Sequence, residues 1–373
     1  AGGAPEKIAV RRRWVMTFSL RDLTPESARW CLRIETFLED ELLVPLWDKT
    51  LVLACSGGVD SSALLVFCRV MQERWRVRLF AAHLDHRLRP ESSGDAQAVK
   101  AMCASCDIPF LSGSSGVRPY AERLGLGLEE AGRRLRYRFL FGIRTKIGAD
   151  LILTGHHLND LAEDSLMRQI RGTGWPALAG MKAWDPAQKL LRPFLLTPKE
   201  RLIRFVTAGA ATWREDASNR DLSFKRNRIR HDLLPVFLRE NPNYLDCVAQ
   251  LWRQARLDED YWRSELERLI PLEERSRQGI RVPGQALHRL VPALRLRWYR
   301  DILNRLGAGQ TRAASLFGLE RAWAREAFGK TFQFPGNKSA RITAQGIHFQ
   351  IEGKDGSLLT LPDSAGFRRS GGQ

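Results

Sequence analysis

The sequence lacks a long apolar run, an excess of acidic residues and a dense set of cysteines. No apolar stretch approaches the roughly 20 residues that cross a membrane, so we expect no membrane association. Only 42 acidic residues face 59 basic ones, and the formal net charge is +17. Because the basic residues are spread along the chain instead of lining one amphipathic helix, nucleic acid is favoured over a membrane surface as the partner.

The six cysteines do not form the framework of a small disulfide-bonded protein. Most of them fall within predicted helices or strands, which favours a reducing compartment, and we expect a cytoplasmic protein. Cys103 and Cys106 have Cys-x-x-Cys spacing, but no second pair follows them. Packing of a helix is therefore favoured for this pair, with an iron–sulfur cluster or another metal site as the alternative.

The two common glycine fingerprints for nucleotide binding, Gly-x-x-x-x-Gly-Lys-Ser/Thr and Gly-x-Gly-x-x-Gly, are also absent. Instead, Ser-Gly-Gly-Val-Asp-Ser occupies 56–61, between an apolar strand at 51–54 and a predicted helix at 60–74. A glycine turn lets main-chain N–H groups converge on an anion that the helix N-terminus also faces. The predicted phosphate-binding residues are Ser56, Gly57, Gly58, Val59, Asp60, Ser61 and Ser62. This segment resembles the PP-loop of N-type ATP pyrophosphatases, which cleave ATP between the α and β phosphates.

Strands and helices alternate through the first part of the chain. Strands are predicted at 51–54, 77–83, 110–111 and 150–154, and helices at 60–74, 94–106, 118–123, 129–147 and 158–171. This alternation predicts an α/β fold, with a twisted parallel sheet and helices on both faces. The polar motifs follow the strands, where ligands bind in such sheets.

Three regions are expected along the chain. We interpret 1–23 as a flexible N-terminal extension, 24–242 as the α/β domain and 243–373 as a second, helical and then strand-rich α+β domain. In the second domain, helices are predicted at 244–270, 286–306 and 311–327, and strands at 331–335, 340–343, 347–351 and 358–361.

A second polar motif follows the strand predicted at 150–154. The next helix would place Asp160 and Glu163 three residues apart on one face. Two carboxylates beside a phosphate cradle suit Mg²⁺ or a cationic substrate group, and His156 could stabilise charge at the α-phosphate. Zinc is the alternative, but His156 and His157 are adjacent and no cysteine cluster accompanies them.

Two basic segments complete the candidates. On the helix predicted at 129–147, Arg133 and Arg136 share a face with Glu129. The run Lys225–Arg230 carries several cations that could contact phosphates. Solvated, salt-bridged surfaces are the alternative for both segments.

In this order, the motifs resemble the tRNA(Ile)-lysidine synthetase family. The matching segments are Ser56–Ser61, His83–Arg89, Glu130–Tyr137, Gly155–Glu163, Arg171–Gly174, Leu191–Leu195, Asp216–Asn219 and Arg226–Arg230. The resemblance implies a two-step reaction on an isoleucine tRNA with a CAU anticodon. ATP adenylates the ring carbonyl oxygen of the wobble cytidine, and free L-lysine then displaces AMP to form lysidine.

The resemblance also implies roles for individual residues. The catalytic residues would be Asp60, His156, Asp160, Glu163 and Arg136. Asp60 and Asp160 would bind Mg²⁺, and Asp160 with Glu163 would hold the lysine ammonium. Contacts to tRNA or substrate phosphates are implied for Arg133, Asn219, Arg226, Asn227, Arg228 and Arg230. Residues 243–373 would bind tRNA, and a homodimer is a further expectation.

Asn159 and Leu161 depart from the residues that many members carry, while Asp160 is retained. Another PP-loop enzyme, such as a tRNA thiolase or an amidating synthetase, is the nearest alternative. A second cysteine pair or a glutaminase domain would favour those enzymes, and the sequence has neither. A non-catalytic basic RNA-binding protein is the alternative from a different functional class.

Overall fold

A computed structural model describes residues 19–87, 92–208, 213, 221–276, 279–309 and 311–351. The chain divides into two compact units, Ala1–Thr173 with Ala179–Gln250, and Gly174–Leu178 with Leu251–Gln373. The strand predicted at 358–361 and the candidate residue Asn219 lie outside the described residues.

The first unit is built on a six-stranded sheet. Its strands are β1 (Thr50–Ala54), β2 (Arg78–Asp85), β3 (Phe110–Ser114), β4 (Leu151–Leu153), β5 (Trp184–Asp185) and β6 (Leu190–Leu191). They lie in the order β3-β2-β1-β4-β6-β5, and all neighbours are parallel except β5 and β6. The first four strands confirm the prediction. β5 and β6 fall outside it because two-residue strands carry no periodicity.

The helices of this unit follow the strands as expected for an α/β fold. They are α1 (Pro25–Thr36), α2 (Val59–Trp75), α3 (Ser92–Ser105), α4 (Val117–Leu124), α5 (Leu128–Lys146), α6 (Leu158–Ile170), α7 (Lys199–Ala208), α8 (Lys225–Arg228) and α9 (Leu234–Glu240). Five-residue π-helical turns at Phe37–Glu41 and Ile229–Leu233 extend α1 and join α8 to α9. The helices predicted between 60 and 171 correspond to α2–α6 within two residues at each end.

Both faces of the central strand β1 are covered. Val52 packs with Leu140 of α5 and Ile152 of β4 in one apolar cluster. Its neighbours Leu51 and Leu53 point to the opposite face because strand side chains alternate, and both are fully buried. The α/β class with helices on both faces of a mostly parallel sheet is therefore confirmed.

The topology brings two chain segments to one place. From β1 the chain continues to β2 and β3 on one side, whereas β4 pairs with β1 on the other side. Loops at the carboxyl ends of strands meet at such a switch point and form a crevice there. The loop after β1 contains 56–58, and the loop after β4 contains 154–157, so the two predicted motifs adjoin.

The second unit contains a five-stranded antiparallel sheet with the strand order β7-β8-β11-β10-β9. Its strands are β7 (Glu274–Ser276), β8 (Gly279–Pro283), β9 (Thr331–Phe334), β10 (Lys338–Thr343) and β11 (Gly346–Ile351). The helices are α10 (Tyr244–Leu269), which begins in the first unit, α11 (Gly284–His288), α12 (Pro292–Leu306) and α13 (Ala313–Ala324). We predicted helices followed by strands for 243–373. The structure differs in that β7 and β8 lie between α10 and α11 and complete the sheet.

The core of the second unit contains Trp298, Tyr299 and Phe349, each at most 1% exposed. Lys338 is also fully buried, and its Nζ donates to the carbonyl oxygens of Leu303, Gly307 and Gly309 at 3.0 Å each. This ammonium satisfies a carbonyl in the last turn of α12, where carbonyls have no partner within the helix, and two carbonyls of the turn that follows. In the part of the chain that the structure describes, no helix is both long and apolar enough to cross a membrane.

Candidate active site at the carboxyl edge of the parallel sheet

The loop after β1 is organised around the hydroxyl group of Ser61. This oxygen accepts hydrogen bonds from the backbone N–H groups of Ser56 (3.2 Å) and Gly57 (3.1 Å), and it donates to the carbonyl of Gly58 (3.0 Å). Gly57 has φ +90°, a conformation that favours glycine. Gly58 caps α2 without a side-chain hydrogen bond. The N–H groups at the start of α2 therefore face the loop and suit an anion.

Two side-chain oxygens in this loop region fit a ligand. Oδ1 of Asp60 and Oγ of Ser62 are buried and have no hydrogen-bond partner among the described residues. Buried polar atoms are normally paired, so these two oxygens call for a bound group. Mg²⁺ takes oxygen ligands and is usually held by one or two carboxylates together with substrate phosphates. Asp60 fits that role.

Gly155 allows the loop after β4 to approach the start of α2. A Cβ atom at this position would lie 2.6 Å from the carbonyl oxygen and 2.8 Å from the carbonyl carbon of Asp60. Both atoms are backbone and cannot turn away as a flexible side chain would. A side chain at 155 is therefore incompatible with the present position of Asp60.

We expect Gly155→Ala to displace Asp60 and the phosphate loop. The overlap should cost about 1–3 kcal/mol of unfolding free energy and weaken ATP binding at least tenfold, as measured by urea unfolding and calorimetric titration. Gly142→Ala in α5 is the matched control, since its added Cβ meets nothing within 4 Å. Equal ATP affinities for the two variants would show that the close approach does not shape the site.

His157 stands between the two loops. Its side chain is 2% exposed, and its Nε2 atom lies 3.4 Å from Oδ2 of Asp60 and 3.4 Å from Oδ2 of Asp160. As the N-cap of α6, it accepts from the Asp160 N–H through Nδ1 and donates its own N–H to Asp160 Oδ2. Burial lowers the pKa of His157, but the carboxylates of Asp160 and Asp60 outweigh burial and raise it above its ordinary value.

His156 is held differently from its neighbour. A 2.8 Å hydrogen bond joins its Nδ1 to the hydroxyl of Thr154. Burial lowers the pKa of His156 to about 3, and the charges of Arg192, Arg226 and Arg136 lower it while Asp160 opposes them. The ring is therefore neutral at physiological pH. It can stabilise a phosphate oxygen by donating a hydrogen bond, but it does not carry a positive charge.

Four charged side chains form a compact cluster at the start of α6. Arg226 donates to Oε2 of Glu163 and Oδ1 of Asp160, both at 2.8 Å. Arg230 donates to Oε1 of Glu163 at 2.6 Å and reaches Oδ1 of Asp160 at 3.3 Å. The Glu163 side chain is 1% exposed, whereas those of Arg226 and Arg230 are each 24% exposed, so two buried carboxylates are balanced by two partly buried guanidiniums.

The cluster changes the interpretation of several candidates. Arg226 and Arg230, predicted to contact phosphates, are paired with the two carboxylates that were expected to hold lysine. Burial raises the pKa of Asp160, but His157 and Arg226 outweigh it and keep the pKa below its ordinary range. Both Asp160 oxygens have protein partners. The contacts therefore favour Asp60 over Asp160 as the Mg²⁺ ligand.

Two further residues of the basic run hold their own segment together. The buried Asn227 donates through Nδ2 to the Asp221 carbonyl at 2.8 Å. Arg228 donates to the carbonyls of Leu222 and Ser223 at 2.7 and 2.8 Å. Asn227 is thus bound to the turn before α8, whereas Arg228 is exposed and still able to contact a partner.

The basic residues of α5 lie on its surface. Arg133 and Arg136 are exposed, and the Arg133 guanidinium lies 5.1 Å from the ring centroid of Tyr137. The positive charge of Arg136 is among those that lower the pKa of His156.

The cysteine pair lies at the end of α3. Cys103 and Cys106 are at most 1% exposed, and burial raises the pKa of Cys106 to about 12. A metal ligand must be a thiolate, so Cys106 is a poor ligand. A hydrogen bond with Cys55 lowers the pKa of Cys103 instead, so the case for packed thiols rests on the burial of both side chains. Throughout the described residues, no group of three or more His, Cys, Asp or Glu side chains is placed to hold a metal ion.

Sequence reasoning missed three residues that shape this site. They are Gly155, His157 and Arg192, to which the sequence assigns no role beyond membership of a matching segment. Arg192 is 6% exposed and donates to the Lys182 carbonyl. An arginine inside the apolar run Leu190–Leu195 was a usable signal, as was the glycine at 155 directly after a buried strand.

Comparisons with known proteins agree with this geometry. The PP-loop domain family matches residues 32–237. The tRNA(Ile)-lysidine synthase of Nitratidesulfovibrio vulgaris is 40% identical over 315 residues, which cover 80% of this chain and 91% of that protein. The tRNA(Ile)-lysidine synthases of Enterococcus faecalis and Geobacter sulfurreducens are 35% and 36% identical over 66% and 68% of this chain. The alignments span 53% and 54% of those two relatives, about half their length.

Proposed function

The chain belongs to the tRNA(Ile)-lysidine synthase family, and from that premise we propose that it ligates L-lysine to the wobble cytidine of an isoleucine tRNA with a CAU anticodon. The observation that supports this best is the continuity of the site. His157 joins the phosphate loop to the charged cluster around Asp160 and Glu163, because its Nε2 atom lies 3.4 Å from carboxylate oxygens of both Asp60 and Asp160. One crevice thus offers both an ATP half-site and an amino-acid half-site.

In the first step, the loop of 56–62 and the N-terminus of α2 hold the phosphates of ATP. The ring carbonyl oxygen of the cytidine attacks the α-phosphorus, and pyrophosphate leaves. His156, which is neutral, donates a hydrogen bond at the α-phosphate, and the exposed Arg136 adds positive charge near this position. When bound at Asp60, Mg²⁺ supplies charge neutralisation to the departing pyrophosphate.

In the second step, one amine of lysine attacks the activated ring carbon as the neutral –NH₂ group and gives up a proton to solvent as the carbon–nitrogen bond forms. The carbon–oxygen bond breaks, and AMP leaves with the former carbonyl oxygen. Asp160 and Glu163 receive an ammonium group, which must share their oxygens with the guanidiniums of Arg226 and Arg230. A cluster with both charge signs is complementary to a free amino acid, which carries ammonium and carboxylate groups together. No protein nucleophile is needed, because AMP is the leaving group.

The surfaces that contact tRNA are part of the same proposal. Arg133 and Arg228 are exposed cations of the first unit, and contacts with phosphates would position tRNA without reading its sequence. We assign tRNA binding also to 243–373, in agreement with the net charge of +17. The homodimer and the cytoplasmic location stay predictions.

Asp160→Ala tests the amino-acid half-site. The variant loses one of the two carboxylate partners of Arg226 and a carboxylate partner of His157 together, so we expect lysine incorporation to fall about 100-fold or more. Pyrophosphate release should be measured beside lysine incorporation, as a function of lysine concentration, to locate the defect. Asp164→Ala is the matched control, because Asp164 is on the same helix but pairs with Arg168 at 2.8 Å. If neither the lysine requirement nor adenylation changes in Asp160→Ala, the role assigned to this carboxylate is wrong.

A further inference from the structure

One imidazole ring connects the two half-sites. Nε2 of His157 lies 3.4 Å from a carboxylate oxygen of Asp60 at the start of α2 and 3.4 Å from one of Asp160 at the start of α6. Nδ1 accepts the backbone N–H of Asp160. When Nδ1 accepts, the ring proton is on Nε2, which faces the two carboxylates.

The surroundings leave the ring little freedom. The side chain of His157 is 2% exposed. The backbone N–H of the same residue donates to Oδ2 of Asp160 at 3.1 Å. Gly155, two residues earlier, brings the same loop against the backbone of Asp60. The beginnings of two helices are therefore held at one spacing by a rigid ring.

We infer that His157 is a positioning residue that sets the distance between Asp60 in the ATP half-site and Asp160 in the amino-acid half-site. The inference rests on the proposed function, in which the α-phosphate and the amine must approach neighbouring atoms of one cytidine in turn. Misplacement of reacting groups by about 1 Å can cost 10²-fold in rate. His157 acts through the two carboxylates and does not itself contact the substrates.

Capping of α6 is the purely structural role that this residue could have instead. The positioning role and the capping role predict opposite orders of activity for two variants. His157→Asn retains a good N-cap acceptor but is too short to place a donor where Nε2 now lies. His157→Gln is a poorer cap, yet its longer side chain brings an amide N–H to about the position of Nε2.

We expect His157→Gln to remain within about fivefold of the unaltered enzyme in tRNA-dependent pyrophosphate release, and His157→Asn to lose 10- to 100-fold in kcat. The KM for ATP should change less than threefold in both variants. Urea unfolding should show His157→Asn to be at least as stable as His157→Gln. A His157→Asn enzyme as fast as His157→Gln, or faster, would reduce His157 to a helix cap and overturn the inference.

A second measurement requires no substrate. In a double-mutant cycle of unfolding free energies, Asp60→Asn should have a different effect in the His157→Asn background than in the unaltered protein. Additive effects would mean that the ring does not couple the two helices. Because the cycle measures only unfolding, it tests the role of His157 separately from the proposed reaction. Absence of lysidine formation by the unaltered enzyme would count against the proposed function alone.

Discussion

Asp60→Asn is expected to reduce ATP-dependent modification of tRNA by about 10²–10³-fold, the loss that follows when one charge-stabilising group is removed from a reaction centre. The buried Oδ1 of Asp60 has no partner among the described residues, and its Oδ2 faces the Nε2–H of His157. Asparagine keeps the shape but replaces one of these acceptors with an N–H donor and removes the charge. Tests should combine single-turnover pyrophosphate release with tRNA binding by filter retention.

Affinity for tRNA should stay within a few-fold in the same variant, because the tRNA contacts are assigned to cations elsewhere. Asp48→Asn is a suitable control, since Asp48 is an exposed carboxylate that pairs with Arg76. Unchanged activity in Asp60→Asn would remove the catalytic assignment of the phosphate loop. Equal losses of activity and tRNA affinity would instead indicate that the chain binds RNA through this surface without catalysis there.

Glu163→Ala is expected to be the most destabilising single change in the site. It removes a carboxylate that is 1% exposed and leaves the guanidiniums of Arg226 and Arg230 without one of their two partners. Removing one member of a buried ion pair typically costs about 3–5 kcal/mol. The free energy of unfolding in urea, with the m-value compared between proteins, measures this loss directly.

Asp164→Ala supplies the comparison for Glu163→Ala, because the two residues are neighbours on α6. Asp164 pairs with Arg168 nearer the surface, and such a pair contributes about 0–1 kcal/mol. Adding Arg230→Met to Glu163→Ala should recover part of the loss, since fewer buried charges then lack a partner. Similar stability for Glu163→Ala and Asp164→Ala would contradict the view that the charged cluster organises the start of α6.

Much of the first unit follows from local sequence. Buried strands such as 51–54 are continuous apolar runs, and the residues after them are small or polar, so both motifs could be placed at the ends of strands. The rule that ligands bind at a switch point in the strand order then brings Ser56–Ser61 and Gly155–Glu163 together. The sequence does not predict β7 and β8, because both strands are short and lie between two strongly helical segments.

The pairing of charges could not be predicted in the same way. Arg226 contacts a glutamate 63 residues earlier in the chain, and nothing in the spacing of the basic run identifies that partner. The composition of this run of cations, close to a nucleotide site, predicts contacts with phosphates and gives no sign of pairing with carboxylates. The contacts of His157 depend likewise on the distance between the N-termini of α2 and α6, which is fixed only when the sheet is assembled.

Incorporation of labelled lysine is the direct test of whether this chain attaches lysine to an isoleucine tRNA. The enzyme should be incubated with ATP, Mg²⁺, labelled L-lysine and an isoleucine tRNA transcript that carries a CAU anticodon, with a methionine tRNA as the control. We expect label in the isoleucine tRNA only, accompanied by release of pyrophosphate and AMP. Absence of label despite tRNA-dependent pyrophosphate release would contradict lysine as the second substrate, and absence of both would contradict the adenylation chemistry itself.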